Sequence, residues 1–209
     1  TSKWGEHELM SPLVGGFNVA NALTALGIGL GLGLDLRSML NDLRAFSGVP
    51  GRMERVDAGQ PFAVLVDYAH TPDSVRNVLV TARALTSGRL LAVLGCGGDR
   101  DRSKRPQMGR QAEALADRVF VTSDNPRSED PEAIIAEILA GMDEPSRAVV
   151  DADRRASMKA ALADAHPGDV VLILGKGHES GQEFADHKIP FDDRQVARQV
   201  LEELRGAAG

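Results

Sequence analysis

The chain has 209 residues, of which 43% are hydrophobic and 26% charged, a balance that supplies one ordinary soluble domain and part of another. Its net charge of -6 argues against a nucleic-acid partner, which would need a basic patch. A single cysteine, Cys96, excludes an internal disulfide and fits a reducing cytoplasm.

No signal peptide is read at the start of the chain. The most apolar early stretch, Ala20 to Leu34, is broken by Thr24 and four glycines, too interrupted to span a bilayer. Asn18 to Leu32 reads as an apolar helix rich in Ala, Leu and Gly. A second helix follows, with Leu36, Met39, Leu40, Leu43 and Phe46 on one face. Ser47-Gly-Val-Pro-Gly51 then punctuates the chain, which places a domain boundary between residues 1–47 and 48–209.

Beyond that boundary strands and helices alternate. Phe62 to Tyr68 is a buried-type strand, and Thr71 is an N-cap with Pro72 at the first helical position. Val75, Val78, Leu79, Ala82 and Leu85 give that helix its apolar stripe. Arg89 to Leu94 is the next strand, Pro106 to Leu115 a helix, and Arg118 to Thr122 a strand. Asp130-Pro131 opens a helix through Leu139. Ala148 to Val150 is a short strand, Arg154 to Ala165 a helix, Val170 to Leu174 a strand, and Asp192 to Arg205 the last helix. This alternation predicts an α/β fold, a Rossmann-like and mostly parallel sheet with helices on both faces.

In such sheets ligands bind beyond the carboxyl ends of the strands. Polar clusters follow four strand ends: Asp67 to Asp73, Gly95 to Arg105, Ser123 to Asp130 and Gly175 to Glu179. Each has a bland reading beside its functional one. Gly95-Cys-Gly-Gly-Asp-Arg100 is either a tight turn or a cradle for an anion, and Arg100, Arg102, Lys104 and Arg105 favour the cradle. It lacks the third glycine of the dinucleotide fingerprint. Asp124-Asn-Pro-Arg127 is either a turn leading into an N-cap or a pair of opposite charges suited to a zwitterion. Gly175-Lys-Gly-His-Glu179 is either a glycine-flanked turn or a site where Glu179 holds an ammonium. Asp67 could meet a ribose hydroxyl, and His70 is a lone histidine without a nucleophile constellation. Cys96 has no evident base partner, and no Cys/His spacing suggests zinc.

Six segments in order, GGFNVANALTAL (15–26), GVPGRME (48–54), VDYAHTPD (66–73), LGCGGDRDRSKRP (94–106), TSDNPRSEDP (122–131) and LGKGHE (174–179), resemble the Mur ligase family. The DNPR segment is similar to the branch that adds meso-diaminopimelate to a UDP-muramoyl-dipeptide. The resemblance implies a cytoplasmic, ATP- and Mg2+-dependent amide ligase of peptidoglycan synthesis, and so of cell-wall biogenesis, cell shape and division. Residues 1–47 would be the end, a helical remnant, of its central ATPase domain, and 48–209 its amino-acid-accepting domain. The phosphate-binding loop and the metal-holding lysine would lie in the missing amino-terminal part, so no catalytic or metal-binding residue is expected in this chain.

Carried over residue by residue, Arg100, Asp124, Asn125, Pro126, Arg127, Gly175 and Glu179 would form the diaminopimelate pocket. Asn18, Arg52, Asp67 and His70 would serve the nucleotide. ATP would phosphorylate the γ-carboxylate of D-glutamate in UDP-MurNAc-L-Ala-D-Glu, and the amine of diaminopimelate would attack the acyl phosphate. Other readings are a non-catalytic amino-acid or nucleotide-binding module, a dinucleotide-dependent oxidoreductase, and another Mur or folylpolyglutamate-type ligase.

Overall fold

The structure is a computed structural model that describes residues 4–13, 15–46 and 48–207. It divides into two compact units, Thr1–Val49 and Pro50–Gly209. Ser47, at the expected boundary, lies outside the described residues.

In the first unit, α1 (Gly16–Gly31) starts two residues before the expected Asn18, after Gly15 at φ 96°. Its companion α2 (Leu36–Ala45) is capped by the Asp35 side chain, which accepts from Ser38 N at 2.8 Å. Phe46 falls just past α2, not on its apolar face, and is exposed. Gly29 lets the two helices approach, because a Cβ there would lie 2.2 Å from Met39 Sδ.

The second unit is built on a six-stranded sheet of β1 (Glu54–Arg55), β2 (Ala63–Asp67), β3 (Leu90–Leu94), β4 (Arg118–Val121), β5 (Val149–Val150) and β6 (Val170–Leu174). The spatial order is β1-β2-β6-β3-β4-β5, and only β1 runs antiparallel to its neighbour. The connecting helices are α3 (Pro72–Arg83), α4 (Lys104–Leu115), α5 (Pro131–Leu139) and α6 (Arg154–Asp164), with α7 (Asp193–Ala207) closing the chain.

Strands buried on both faces read as continuous apolar runs, and β3 (LLAVL) and β6 (VVLIL) are buried at every position. Alternate residues divide between two cores. Leu90, Ala92, Leu94, Val170, Leu172 and Leu174 pack with α3, α4 and α5. Leu91, Val93, Phe120, Val171 and Ile173 pack with α6 and α7. Helices on both faces of a mostly parallel sheet are the architecture that the alternation predicts.

Three features depart from that reading. Leu85 lies beyond α3 and is 48% exposed, so the helix's apolar stripe ends at Ala82. Strand β1 is two residues long, too short to show any period. A separate hairpin, β7 (Gly181–Glu183) with β8 (Lys188–Pro190), lies in a polar stretch without apolar alternation.

Gly109 in α4 faces Ile138 of α5, where an added Cβ would stand 2.1 Å from the Ile138 carbonyl oxygen. Helix propensity alone would make Gly109→Ala stabilising by about 1 kcal/mol. The backbone clash forces the helices apart, and overpacking of a well-filled interface costs about 1–3 kcal/mol. Gly109→Ala should therefore lower the urea midpoint, and a raised midpoint would contradict this contact.

Candidate functional site

The carboxyl ends of β2, β6, β3 and β4 stand side by side, so the loops that follow them meet on one rim. They enclose a cavity of about 390 Å³. Six of the seven residues expected to hold an amino acid line it: Arg100, Asp124, Asn125, Arg127, Gly175 and Glu179. Pro126 does not line it. Its role is packing, since a Cβ on Gly98 would fall 1.8 Å from the Pro126 carbonyl oxygen.

Asp124 is 7% exposed, and among the described residues nothing donates a hydrogen bond to its carboxylate. Burial pushes its carboxyl above the usual carboxylate range, opposed by the positive charges of Arg154 and Lys176. Gly175, at φ 115°, makes room for it; a side chain there would meet Asp124 Oδ2 at 2.4 Å. Asn125 is anchored on three sides. Its Oδ1 accepts from Lys176 Nζ at 2.8 Å and from Glu183 N at 3.0 Å, and its Nδ2 donates to Glu179 Oε2 at 2.7 Å.

Arg127 adopts φ 51°, an uncommon conformation for a non-glycine residue. Hairpin strand β7 secures it: Arg127 N donates to Glu183 O at 3.0 Å and Nε to Glu183 Oε2 at 3.2 Å. Nη1 donates to Gly98 O at 2.8 Å, and among the described residues no protein acceptor takes Nη2 of this cavity-lining side chain. Arg100 is exposed on the rim.

The basic cluster after β3 is not uniformly available for an anion. Arg105 is buried and pairs with Glu129 at 2.7 Å and Glu137 at 2.8 Å, and Arg102 also pairs with Glu137. The Arg105 hydrogen bond is the main reason the Glu129 carboxyl is held at about 2. Arg102 and Arg105 therefore brace the loop, and Arg100 and Lys104 line the cavity together with the paired Arg105. Cys96 is buried against Met108, and desolvation pushes its thiol up to about 12, which rules out a thiolate nucleophile near neutrality.

The residues expected to serve a nucleotide separate. His70 lines the cavity, and its Nδ1 donates to Tyr68 O at 2.8 Å. The Arg52 guanidinium stands 4.9 Å from the centre of the Tyr68 ring. Asp67 is 4% exposed and its two oxygens accept from Met53 N and Ala69 N, both at 2.8 Å. It pins the segment carrying Arg52 to the strand end rather than facing the cavity. Asn18 belongs to the first unit, on α1, where its Oδ1 accepts from Asn21 Nδ2 at 3.3 Å.

Two groups escaped the sequence reading. Lys176, to which the sequence reading gave no role, is 0% exposed behind the cavity. Glu183 lies in the unforeseen hairpin. Among the described residues no group of three or more His, Cys, Asp or Glu side chains is placed to hold a metal ion. Among them also no helix is long and apolar enough to cross a membrane.

The sheet, its rim and this cavity define a ligand-binding α/β domain. The chain belongs to the Mur ligase family: the model described as "Mur ligase, glutamate ligase domain" matches residues 51–177. It is 55% identical over 201 residues to a UDP-N-acetylmuramoyl-L-alanyl-D-glutamate--2,6-diaminopimelate ligase of Thermosynechococcus vestitus, covering 95% of this chain and 40% of that protein. A ligase of the same description from Synechococcus elongatus is 54% identical over 205 residues, covering 97% of this chain and 41% of its own length. The chain thus spans about 40% of the length of these relatives. A solved ligase structure of that description superposes with a TM-score of 0.74 at 41% identity, over 98% of this chain and 42% of the other.

Beneath the rim, Arg154 and Asp193 form a two-pronged ion pair with both side chains 0% exposed, at 2.8 Å (Nε to Oδ1) and 2.7 Å (Nη2 to Oδ2). Removing one partner strands the other charge in the interior, at a cost of about 3–5 kcal/mol. Arg154→Leu should lose stability on that scale in urea titration, and adding Asp193→Leu should recover a large part of it. Equal loss in the single and double variants would show that packing, not charge, holds this junction.

Proposed function

We propose that the chain is the amino-acid-accepting part of a ligase that joins meso-diaminopimelate to UDP-MurNAc-L-Ala-D-Glu in peptidoglycan precursor synthesis. In this reading residues 1–47 end the central ATP-binding domain, and residues 48–209 form the amino-acid-accepting domain. The rest of the enzyme supplies the phosphate-binding loop, and the enzyme works in the cytoplasm. The observation that carries the proposal is the Asp124 carboxylate, buried without a hydrogen-bond donor in the same cavity as the Arg127 and Arg100 guanidiniums. A desolvated anion beside cations is complementary to a zwitterion, and the relatives' names specify a diamino acid.

Asp124 and Glu179 would take the distal ammonium, and Arg127 the distal carboxylate through its remaining Nη hydrogens. Arg100 at the rim would hold the other carboxylate, Asn125 and Gly175 would shape the wall, and Pro126 would stiffen the loop between them. The proximal amine is then left free. ATP supplies the phosphoryl group that turns the dipeptide's γ-carboxylate into an acyl phosphate, and the held amine attacks it. The domain contributes position: an oriented amine at high local concentration. No side chain of this chain is needed as a nucleophile.

Arg52 and His70 would face the nucleotide, with Asp67 acting through the Arg52 segment it anchors and Asn18 contributing from α1. In this reading Mg2+ is held by the remainder of the enzyme.

L-lysine shares the chain length and terminal amine but lacks the distal carboxylate. A site that pairs that carboxylate leaves its own cation unpaired when lysine binds. Arg127 is part-exposed and already bonded to Glu183, so the low end of the usual 2–5 kcal/mol applies. In the full-length enzyme, Arg127→Ala should cut kcat/KM for diaminopimelate by about 30-fold, the equivalent of about 2 kcal/mol, with little change for lysine. A mutant that keeps the wild-type preference would remove the specificity assignment.

The raised carboxyl of Asp124 gives a signed pH effect. Only its ionised form pairs with an ammonium, so diaminopimelate affinity should rise as pH climbs through that titration and fall below it. Calorimetry across pH should show this acid limb in the wild type and lose it in Asp124→Asn. An unchanged limb in the variant would assign it to another group.

A further inference from the structure

Lys176 is a fully buried cation that the binding scheme above does not use. It does not line the cavity; it stands behind the residues that do. Its Nζ donates to Asn125 Oδ1 at 2.8 Å and lies 3.4 Å from Glu179 Oε2. An ammonium can only donate, so it fixes which end of the Asn125 amide is oxygen. The Glu183 N–H on the same oxygen enforces the same choice. The Asn125 NH₂ must then point at Glu179, where it donates at 2.7 Å to Oε2. Glu179 Oε2 is held by both groups, and among the described residues no hydrogen bond occupies Oε1.

The charge balance points the same way. The groups facing Lys176 are Asp124 after β4, Glu179 on its own loop, Arg154 on α6 and Asp193 on α7. Arg154 spends its guanidinium on Asp193 and on the carbonyls of Ser123 and Leu174. Arg154 and Lys176 are the two cations that counter Asp124, and of these Lys176 is the one that also reaches Glu179, which is one-third exposed. A buried acid that loses a counter-charge holds its proton to higher pH.

We propose that Lys176 is the positioning residue of this pocket: through Asn125 it aims Glu179, and its charge favours an ionised Asp124 for a ligand that carries an ammonium group. The choice of ligand rests on the proposed function, whereas the orientation of Asn125 and Glu179 and the charge on Asp124 do not. Burial draws the Lys176 ammonium below the ordinary lysine range, so its counter-charge is lost as pH rises through that lowered value. With the acid limb set by Asp124, ligand affinity is bell-shaped in pH.

The test is NMR on the chain itself, followed by calorimetry. In the wild type, the Asn125 side-chain NH₂ protons should exchange slowly. The Asp124 carboxyl carbon should also report the Lys176 titration as a second step. A freely exchanging Asn125 amide, with an Asp124 carboxyl carbon blind to Lys176, would overturn the proposal without any variant. Lys176→Met keeps the apolar stem and removes the charge. It should raise the carboxyl midpoint of Asp124 by about one unit or more, the usual effect of losing an adjacent opposite charge. An unchanged midpoint in a folded Lys176→Met would refute it, and if that variant does not fold, the wild-type titration decides. In calorimetry, Lys176→Met should bind meso-diaminopimelate at least about tenfold more weakly, with its acid limb moved to higher pH. Equal binding and an unmoved limb would count against Lys176. Absence of wild-type binding would instead sink the ligand assignment, while the Asp124 titration still settles the role of Lys176.

Discussion

Parallel strands that end together leave carbonyl oxygens at their tips, buried under the loops that follow, and each needs a donor. Arg154 answers that need at the centre of the rim. Its guanidinium donates to Ser123 O beyond β4 and to Leu174 O at the end of β6, while Asp193 of α7 neutralises it. One buried ion pair therefore ties two strand ends to the two helices on one face. The loops that build the cavity start from those strand ends, so their geometry depends on this junction. At the end of β2, Asp67 plays the complementary part, its two carboxylate oxygens accepting from the backbone N–H groups of Met53 and Ala69.

From that base the cavity follows from steric and electrostatic constraints. Glycine at 175 allows the Asp124 carboxylate to sit against the backbone, and glycine at 98 allows the Pro126 carbonyl to do so. The cations after β3 then divide by partner. Arg105 and the exposed Arg102 are paired with Glu129 and Glu137, and Arg100 and Lys104 line the cavity beside the paired Arg105. What remains is a pocket with a desolvated acid at its back and guanidiniums at its mouth. Such a pocket orients a zwitterion and asks little else of the protein, which suits a domain whose contribution is placement of an amine.

The layered sheet was legible from the chain because β3 and β6 are apolar throughout and turn signals separate them from helices with one apolar face. Thr71-Pro72 gave the start of α3, and the capping pair of Thr71 with Ser74 explains why. The four polar clusters were legible as a rim because a parallel sheet puts all its carboxyl ends on one side. The hairpin was not legible. Its three-residue strands carry no alternation, and its role appears only when Glu183 meets Arg127 and Asn125 across more than fifty residues. The role of Lys176 was hidden for a related reason: its partner Asn125 lies 51 residues away in sequence. Likewise the sequence could not divide the arginines after β3 into braces and ligands, since that depends on where Glu129 and Glu137 lie.

If the rim cavity holds a diamino dicarboxylate, chemical-shift mapping of the chain with meso-diaminopimelate will show it. Saturable shifts are expected, confined to the segments after β2, β3, β4 and β6, including Arg100, Asp124, Asn125, Arg127, Gly175 and Glu179, with weaker ones for L-lysine. No shifts at high ligand concentration, or shifts centred on the separate cavity beside Glu113, Arg118 and Arg147, would contradict it.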